Sequence, residues 1–307
     1  MDGVEILKDL FFIERGFLNG NHFVYRSRDP VLIDTGYIAG FDETARRINA
    51  VGVDLSRVGL IVSTHCHCDH IGGNRIIQER SGCAVALHGI GRHFIETRDD
   101  WSTWWRYYHQ EADFFTCTRS LEDGEILPIG PHRFQVLHTP GHASDGIVLY
   151  NREDRLLISS DTLWEKDMAV ITVRVEGSTA VQALAASLER LSGLDVERVY
   201  PGHGRPFTDF RRAVSRSMKR LRAYLSGRER IGMDLLKKII IYTLLMKKAV
   251  PAESLFPWLM GTRWFRETVD LYFDGAYRST YDGIMRDFLR RDVVRREGGV
   301  LHTTVRP

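Results

Sequence analysis

The sequence has 307 residues, enough for one large domain and a smaller one, because single hydrophobic cores rarely grow beyond about 250–300 residues. A hydrophobic content of 43% and a charged content of 27% are ordinary for globular proteins and exclude an extensively disordered chain. The net charge of +2 combines an acidic and a basic part: residues 1–204 carry 20 Lys and Arg against 29 Asp and Glu, whereas residues 205–307 carry 22 against 11.

Short β-rich runs alternate with helical patterns through residues 1–204, which favours a mixed α/β (α+β) domain. The runs predicted as strands are residues 11–17, 22–26, 30–34, 58–63, 84–88, 134–138, 146–150, 156–159 and 198–200. The runs predicted as helices are residues 42–51, 73–79 and 179–192.

Residues 90–118 interrupt this alternation with a helical insertion rich in aromatic residues. Among its members are Trp104, Trp105, Tyr108 and His109. The functional interpretation is a lid or hydrophobic wall that binds an apolar substrate. The alternative is ordinary core packing, which aromatic residues at helical spacing usually indicate.

Residues 205–307 are mainly helical and carry a net charge of +11, against −9 for residues 1–204. A helical pattern over residues 279–290 is followed by two short β-rich runs that turn at Gly298-Gly299, which predicts a winged-helix-like shape. We therefore expect two domains, residues 1–204 and a basic C-terminal domain over residues 205–307. Its charge indicates either a surface for anionic partners or a solvated helical surface.

Compartment and membrane association are predicted from cysteine use and hydropathy. Four cysteines do not form a disulfide framework in a chain this long, and the N-terminus lacks the basic and apolar regions of a signal peptide. The most apolar helical stretch, residues 239–246, is too short to span a bilayer. We expect a cytoplasmic protein that does not enter membranes.

A cluster of metal-ligand residue types follows the apolar run at residues 60–63. Four such residues stand within six positions: His65, His67, Asp69 and His70. Imidazole and carboxylate together suit zinc or a similar first-row metal, and a loop at a strand end gives a rigid site. The intervening Cys66 and Cys68 are expected to face away from the ligands, although thiolate binding is an alternative.

Three further ligand-type residues occur where a predicted strand ends. His142 lies in His138-Thr139-Pro140-Gly141-His142, Asp161 follows Ser159-Ser160, and His203 lies in Pro201-Gly202-His203-Gly204. Glycine beside these residues permits tight turns.

Together with Asp34 in Leu32-Ile33-Asp34-Thr35-Gly36, these motifs resemble the five signature motifs of the metallo-β-lactamase superfamily, in the family's order. The resemblance covers about residues 10–205. It implies an αββα sandwich, with two metal ions at one edge between the two sheets, and a catalytic domain over residues 1–204 that precedes the C-terminal domain.

The resemblance also implies a role for each residue. His65, His67 and His142 would hold the first metal, Asp69, His70 and His203 the second, and Asp161 would bridge both. Asp34 would orient a histidine ligand from behind. Zinc is the expected metal, with iron and manganese as alternatives. A metal-bridging hydroxide would attack the substrate, with Asp69 and Asp161 as the catalytic carboxylates. Trp164, close to Asp161, is expected to line the substrate pocket.

The leading functional hypothesis is hydrolysis of a small-molecule thioester or carboxyl ester. The segment from Thr64 to Gly73 and the Pro201-Gly202-His203-Gly204 motif are similar to those of the hydroxyacylglutathione hydrolases, the glyoxalase II enzymes. The tail, however, has no clear match to the glutathione-binding segment of those enzymes.

Two other functions stay open. A lactamase-like domain followed by a basic, winged-helix-like tail is similar to lactamase-like endoribonucleases, which would bind RNA through the tail. Such a tail can equally serve dimerisation, which would make a homodimer, or close the substrate pocket. The third hypothesis is a non-catalytic regulatory effector, against which the complete ligand set argues.

Overall fold

The computed structural model describes residues 3–306, and the chain divides into two compact units, Met1–Leu221 and Arg222–Pro307. The domain boundary expected between residues 204 and 205 lies N-terminal to this division. The assignment of residues 205–307 as a separate domain stays a prediction.

The first unit contains two β-sheets. A seven-stranded sheet follows the chain order, antiparallel from its first to its fourth strand and parallel from its fourth to its seventh. Its strands are β1 (Val4–Leu7), β2 (Leu10–Ile13), β3 (His22–Tyr25), β4 (Val31–Ile33), β5 (Leu60–Val62), β6 (Ala84–His88) and β7 (Arg119–Leu121).

The second sheet has five strands in the order β12-β11-β10-β9-β8, in which only the β11–β12 pair is parallel. Its strands are β8 (Ile126–Ile129), β9 (His132–His138), β10 (Ile147–Asn151), β11 (Leu156–Ser160) and β12 (Arg198–Pro201). A parallel pair needs a crossover connection, and the longest helix between these two strands is Ala180–Ser192.

One hydrophobic core joins the two sheets. Phe12, Phe23 and Ile33 from the first sheet share a buried cluster with Phe134 and Ile158 from the second. Side chains alternate between the faces of a strand, so the inward residues of both sheets meet between them. Burial of such side chains contributes about 1.5–3 kcal/mol each. The predicted two-sheet α/β sandwich is confirmed.

Helices follow or connect the strands of this unit. They are α1 (Phe41–Ala50), α2 (Cys68–Ile71), α3 (Asn74–Ser81), α4 (Gly89–Glu96), α5 (Trp105–Tyr108), α6 (Val173–Glu176), α7 (Ala180–Ser192) and α8 (Phe210–Ser226). The division between the two units falls inside α8. In the aromatic insertion, regular helix is limited to α4 and α5, and most of residues 97–118 is turn or irregular structure.

The second unit is mainly helical, as predicted. Its elements are α9 (Glu229–Lys247), β13 (Val250–Pro251), α10 (Ala252–Gly261), α11 (Arg263–Phe273), α12 (Tyr277–Arg290), β14 (Val294–Glu297) and β15 (Val300–Thr303). The hairpin of β14 and β15 turns at Gly298 and Gly299, whose φ angles of 56° and 82° fit the two positive values of a type I′ turn. The winged-helix assignment itself stays a prediction.

Several short elements were absent from the sequence prediction, and one strand was predicted too long. The structure adds the strands β1, β7, β8 and β13 and the helices α2, α6 and α10, and it ends β2 at Ile13 where a strand to residue 17 was expected. The added strands have two to four residues, too few to display a period of two. Helix α10 contains Pro257, which lacks the amide donor of a helix interior.

The structure also describes the cysteines and the hydropathy of the helices. All four cysteines are buried and free. In the part of the chain that the structure describes, each helix is too short or too polar to cross a lipid bilayer.

Candidate metal centre

Five loops meet at one edge of the sandwich, and each begins where a strand ends. Asp34 follows β4, His65 follows β5, His142 follows β9, Asp161 follows β11 and His203 follows β12. Each of the five residues is almost completely buried. The fold therefore brings together positions that are up to 169 residues apart in sequence, from Asp34 to His203.

Backbone hydrogen bonds lock these loops to one another. The amide of Ile147 donates to the carbonyl of Thr64 at 2.9 Å and so ties the second sheet to the cluster that follows β5. The amide of Gly202 donates to the carbonyl of Ser160 at 2.7 Å, and the amide of Gly20 donates to the carbonyl of Asp69 at 2.9 Å. The side chains therefore project from a rigid frame, as a site with fixed geometry needs.

The loops form three groups of metal-ligand residues, and the ligand atoms within each group lie within 4.8 Å of one another. They are His65, His67 and His142; His65, His70 and Asp161; and Asp69, His70 and His203. The first and last groups are the two ligand sets that the sequence predicts. All seven predicted ligands thus fall into one cluster, which we call the candidate metal centre.

Asp161 lies between the two predicted ligand sets. Its Oδ2 atom is 3.4 Å from Nε2 of His142, 3.6 Å from Nε2 of His70 and 3.6 Å from Nε2 of His203. Asp69 contacts a histidine of the second set, because its Oδ2 atom lies 3.1 Å from Nε2 of His203. One carboxylate oxygen thus contacts histidines of both sets.

Asp34 holds two of the histidines from behind. Its Oδ2 atom accepts hydrogen bonds from Nδ1 of His70 at 2.8 Å and from the hydroxyl of Thr64 at 2.8 Å. Because the Thr64 proton is used in this way, Nδ1 of His65, at 3.1 Å, donates to Oγ1 of Thr64. In both rings the Nδ1 proton is held on the side away from the centre, so Nε2 is the nitrogen that faces it.

The other three histidines are held by partners that the sequence did not indicate. Nδ1 of His142 donates to the carbonyl of Val170 at 2.7 Å, and Nδ1 of His203 donates to the carbonyl of Gly16 at 2.9 Å. His67 is held by its opposite nitrogen: Nε2 lies 3.4 Å from Oε1 of Glu176, while Nδ1 lies 2.9 Å from Nε2 of His142.

The nitrogens that face the centre include buried atoms with no hydrogen-bond partner. Among the described residues these are the Nε2 atoms of His65, His70 and His203. A buried polar atom without a partner costs about 1–3 kcal/mol, so three of them in one cluster need an explanation. A bound cation would be their common partner.

Burial lowers the pKa values of the first histidine set. The pKa values of His65 and His67 fall well below the ordinary value because their rings are buried, and neighbouring imidazoles add to the effect. The pKa of His142 is also lowered by burial. These rings are therefore neutral, the form that binds metals.

The second set lies in a more negative environment. Burial favours the neutral ring, but the carboxylates of Asp69 and Asp161 outweigh it and raise the pKa of His70 well above its ordinary value. At His203, too, the same two carboxylates outweigh the effect of burial and raise the pKa of the ring. This side of the cluster therefore stabilises positive charge, whether it is a proton or a metal cation.

Aromatic rings cover the centre on two sides. The ring of Trp104, from the aromatic insertion, lies 4.1 Å from that of His67 and is almost completely buried. On the other side, Trp164 and Phe17 lie 5.2 Å and 5.9 Å from the ring of His203. Nε1 of Trp164 also donates to Oδ1 of Asp161 at 3.2 Å.

The remaining predicted pocket residues lie farther from the ligands. Tyr108 is buried and packs on Trp104 with ring centres 5.1 Å apart. Trp105 is 40% exposed with its ring 6.2 Å from that of Phe114, and His109 is exposed. The aromatic insertion thus contributes Tyr108 to the packed core and Trp104 to the contact with His67. The assignment of these residues to a substrate pocket stays a prediction.

The cysteines between the ligands point toward the insertion. Sγ of Cys66 donates to the carbonyl of Ser102 at 3.8 Å, and Sγ of Cys68 donates to Oε1 of Gln110 at 2.8 Å. Neither belongs to a metal-ligand group among the residues described. The expectation that they face away from the ligands is confirmed.

Two buried acids near the centre were not predicted from the sequence. Burial raises the pKa of Asp145 to about 7 and that of Glu176 to about 8. Asp145 stands three residues after His142 in the chain, and this proximity is the signal that could have indicated it. Glu176 had no such signal, because its contact with His67 joins positions 109 residues apart.

Comparison with known proteins assigns a family to this architecture. The family described as the metallo-beta-lactamase superfamily matches residues 15–203, which contain the whole candidate metal centre. Among solved structures, the metallo-beta-lactamase family protein TTHA1429 from Thermus thermophilus has a TM-score of 0.63 at 20% identity. That comparison covers 97% of this chain and 100% of the other, and it supports the fold alone.

Curated relatives include named hydrolases. The acyl-coenzyme A thioesterase MBLAC2 of Gallus gallus is 27% identical over 63% of this chain and 77% of its own length. The probable metallo-hydrolase YqjP of Bacillus subtilis is 28% identical over 67% of this chain and 74% of its own length. A hydroxyacylglutathione hydrolase of Methylococcus capsulatus is 29% identical over 60% of this chain and 62% of its own length.

Proposed function

The chain belongs to the metallo-beta-lactamase superfamily, and on this premise we propose that it is a hydrolase that uses two divalent metal ions, zinc foremost, to cleave a thioester or carboxyl ester. One observation carries the proposal. A single carboxylate oxygen, Oδ2 of Asp161, lies 3.4–3.6 Å from histidines of both ligand sets. That is the position from which one side chain can contact two cations.

The residues fit the proposed metals chemically. Five imidazoles and two carboxylates are the ligand types that zinc and related first-row metals take. We assign His65, His67 and His142 to the first metal, and Asp69, His70 and His203 to the second. Asp161 would contact both metals, and Asp34 would fix the tautomers of His65 and His70 from behind.

Bound metals would supply Lewis acidity, which lowers the pKa of a water and polarises the carbonyl oxygen of the ester or thioester. The chain supplies the remaining requirements. Asp69 orients the attacking water and moves its proton, as a carboxylate beside the reacting atoms can. Trp104 and Trp164 limit the access of solvent, which strengthens electrostatic interactions inside the site.

The substrate class is inferred from the relatives and from the walls of the site. Two of the relatives are a thioesterase and a hydroxyacylglutathione hydrolase, and both names denote cleavage of a thioester. Phe17, which is half-buried, offers apolar surface beside His203, and the buried ring of Trp104 packs against His67. An acyl group packed on such surface would be desolvated while its carbonyl is at the metals.

The charge of residues 205–307 favours a second candidate, an endoribonuclease that binds RNA through this segment. Many of its cations are already paired. Arg220 forms an ion pair with Asp167, Lys237 with Asp287, and Arg278 with Asp282. The net charge of +11 already counts Asp287 and Asp282, so among these three pairs only the one with Asp167 takes a cation from the surplus. We rank thioester cleavage first because two of the relatives are named for it.

Metal analysis tests the centre. We expect the purified protein to hold two equivalents of zinc per chain, and Asp161→Ala to hold fewer. The exposed Asp195→Ala is the matched control and should keep both equivalents. A folded native protein that binds no divalent metal would contradict the proposal and favour a non-catalytic effector.

A substrate panel then tests the reaction. We expect hydrolysis of acyl-coenzyme A or acylglutathione thioesters, with slower cleavage of carboxyl esters and lactones. Asp161→Ala should lower kcat/KM by more than the roughly 10–100-fold that loss of an outer hydrogen-bond partner costs, since it removes a ligand. Cleavage of single-stranded RNA without thioester hydrolysis would establish the second candidate instead.

A further inference from the structure

The segment after β11, residues 163–176, supports the candidate metal centre from outside. It provides the Trp164 indole that donates to Asp161, the Val170 carbonyl that accepts from His142, and the Glu176 carboxylate beside His67. Of these three contacts, the one from Glu176 involves an ionisable side chain that a conservative substitution can change without altering its size.

Glu176 is held in place from two sides. Its side chain is 4% exposed, Oε1 lies 3.4 Å from Nε2 of His67, and Oε2 accepts a hydrogen bond from the amide of Ser144 at 2.7 Å. Ser144 stands two residues after His142, so one carboxylate joins the loops that carry two ligands of the same set. Burial raises the pKa of Glu176, whereas the Ser144 amide and a proton on Nε2 of His67 both favour its ionised form. With both oxygens engaged, this carboxylate has little freedom to move.

His67 differs from the other four histidines of the centre in which nitrogen is anchored. In the others the anchored atom is Nδ1, whereas in His67 it is Nε2. Nδ1 of His67 is the atom that lies 2.9 Å from Nε2 of His142, on the ligand side. The neutral ring carries one proton, so Nδ1 is free to bind a metal only when that proton is on Nε2.

We propose that Glu176 is a positioning residue that fixes the Nε2-protonated tautomer and the ring orientation of His67, and thereby the affinity of the first metal site. This inference rests on the proposed metal centre. A hydrogen bond from a ligating histidine to a carboxylate fixes the tautomer and raises the basicity of the ligand nitrogen. Its loss costs about 10–100-fold in metal affinity.

Glu176→Gln in the full chain is the test. The amide has the same size, but only one end accepts, so it cannot serve both His67 and the Ser144 amide as the carboxylate does. Glu165→Gln is the matched control, because it removes a charge from the same segment and its side chain is 41% exposed. Zinc affinities are measured by competition with a chromophoric chelator, together with thermal unfolding of the metal-free proteins.

We expect Glu176→Gln to weaken one of the two zinc equivalents roughly 10–100-fold while the other equivalent and Glu165→Gln stay near the wild-type values. Equal affinities in both variants and the wild type would overturn the role of Glu176 and leave the metal centre standing. A wild-type protein that binds no zinc would contradict the metal centre itself.

A second measurement does not depend on the variant folding. In zinc-loaded wild-type protein labelled with nitrogen-15 at histidine, His67 should show a proton on Nε2 and metal on Nδ1. The reverse assignment, with zinc on Nε2, would overturn the inference, because Glu176 would then have no proton to accept.

Discussion

The indole of Trp164 contacts both a carboxylate and a histidine of the candidate metal centre. Its N–H donates to Oδ1 of Asp161, and its ring lies 5.2 Å from that of His203. Oδ2 of Asp161 is the oxygen shared by both ligand sets. A donor on Oδ1 therefore controls which way the shared oxygen points.

Trp164→Phe should lower zinc affinity about tenfold, because it keeps an aromatic ring but removes the donor to Asp161. The metal-free form should lose about 1–3 kcal/mol of unfolding free energy through the lost hydrogen bond and a small cavity. Chelator competition and denaturant unfolding measure the two effects. Trp105→Phe, at a 40% exposed position, is the control and should change neither. A loss of stability without any loss of zinc affinity would assign Trp164 to packing alone.

The raised pKa of the buried Asp145 predicts that the stability of the protein depends on pH. It is 1% exposed, and neither carboxylate oxygen has a hydrogen-bond partner in the described part of the chain. Burial raises its pKa to about 7, with Cys66 and Glu176 among the neighbouring ionisable groups. The folded state then keeps a proton that the unfolded chain has released above its ordinary pKa of 3.8. Stability therefore falls as pH rises from about 4 to about 7.

Asp145→Asn should remove this contribution, because asparagine does not titrate. In chelator-treated protein, the free energy of unfolding of the variant is compared with that of the wild type at pH 4 and at pH 8. Between these pH values we expect the difference to shift in favour of the variant by up to about 4 kcal/mol, since roughly three pKa units correspond to 1.36 kcal/mol each. Urea unfolding across this pH range measures the difference. Asp195→Asn, on the surface, should parallel the wild type. Parallel curves for Asp145→Asn as well would mean that Asp145 is ionised in the folded protein.

At the scale of elements, the loop after β12 approaches the loop after β11 so closely that only glycine fits. A Cβ atom on Gly202 would lie 2.1 Å from Oδ1 of Asp161 and 3.1 Å from Cε1 of His70. The amide of Gly202 also donates to the carbonyl of Ser160 at 2.7 Å, so the loop cannot retreat without breaking that bond. The Asp161 side chain therefore has to move, and the backbone carbon of Ser160, 3.0 Å from the added Cβ, has to give way slightly as well.

Gly202→Ala should therefore displace the shared carboxylate and reduce bound zinc below two equivalents, while the two sheets stay folded. Metal analysis and circular dichroism of the same preparation test this directly. Gly89→Ala is the control: nothing lies within 4 Å of the added Cβ, so metal content should not change. Full zinc content in Gly202→Ala would show that the loops separate more easily than the hydrogen bond suggests.

The ligands could be predicted from the sequence because their signal is local. Each follows an apolar run that makes a strand, and ligand residue types beside glycine at a strand end are recognisable without the fold. The five loops could be brought together only through the family resemblance, since periodicity does not give the order of strands in a sheet. Core strands such as β6 and β11 were predicted within one residue for the same local reason.

The residues that hold the ligands could not be predicted in this way. Val170 and Gly16 contribute backbone carbonyls, which every residue type has. Glu176 reaches His67 across 109 positions, and its residue type is common on surfaces, so nothing in its own neighbourhood distinguishes it. The edge strands β1 and β7 escaped prediction because strands of three or four residues do not establish a period.

At the scale of the whole molecule, the metal ligands and the basic charge occupy different parts of the chain. Every residue of the candidate metal centre lies within the unit Met1–Leu221. Part of the basic segment also lies in that unit, where Arg216 donates to the carbonyl of Glu165 and Arg220 pairs with Asp167. These two arginines hold the segment that orients His142 and His67, so some of the basic character of the tail has a structural use.

Metal removal should therefore destabilise one unit selectively. A ligand that binds only the folded state stabilises it by about 2.7 kcal/mol at one hundred times its dissociation constant, and this stabilisation disappears when a chelator removes the metal. We expect hydrogen exchange, followed by mass spectrometry, to accelerate after chelation in peptides that cover the loops after β5, β11 and β12. Peptides from α11 and from the β14–β15 hairpin, which lie in the unit Arg222–Pro307, serve as internal controls and should exchange at unchanged rates. Zinc should restore protection in the same peptides that lost it. If α11 and the hairpin lost protection to the same extent, the metals would stabilise the whole chain as one cooperative body, and the two units would not unfold independently.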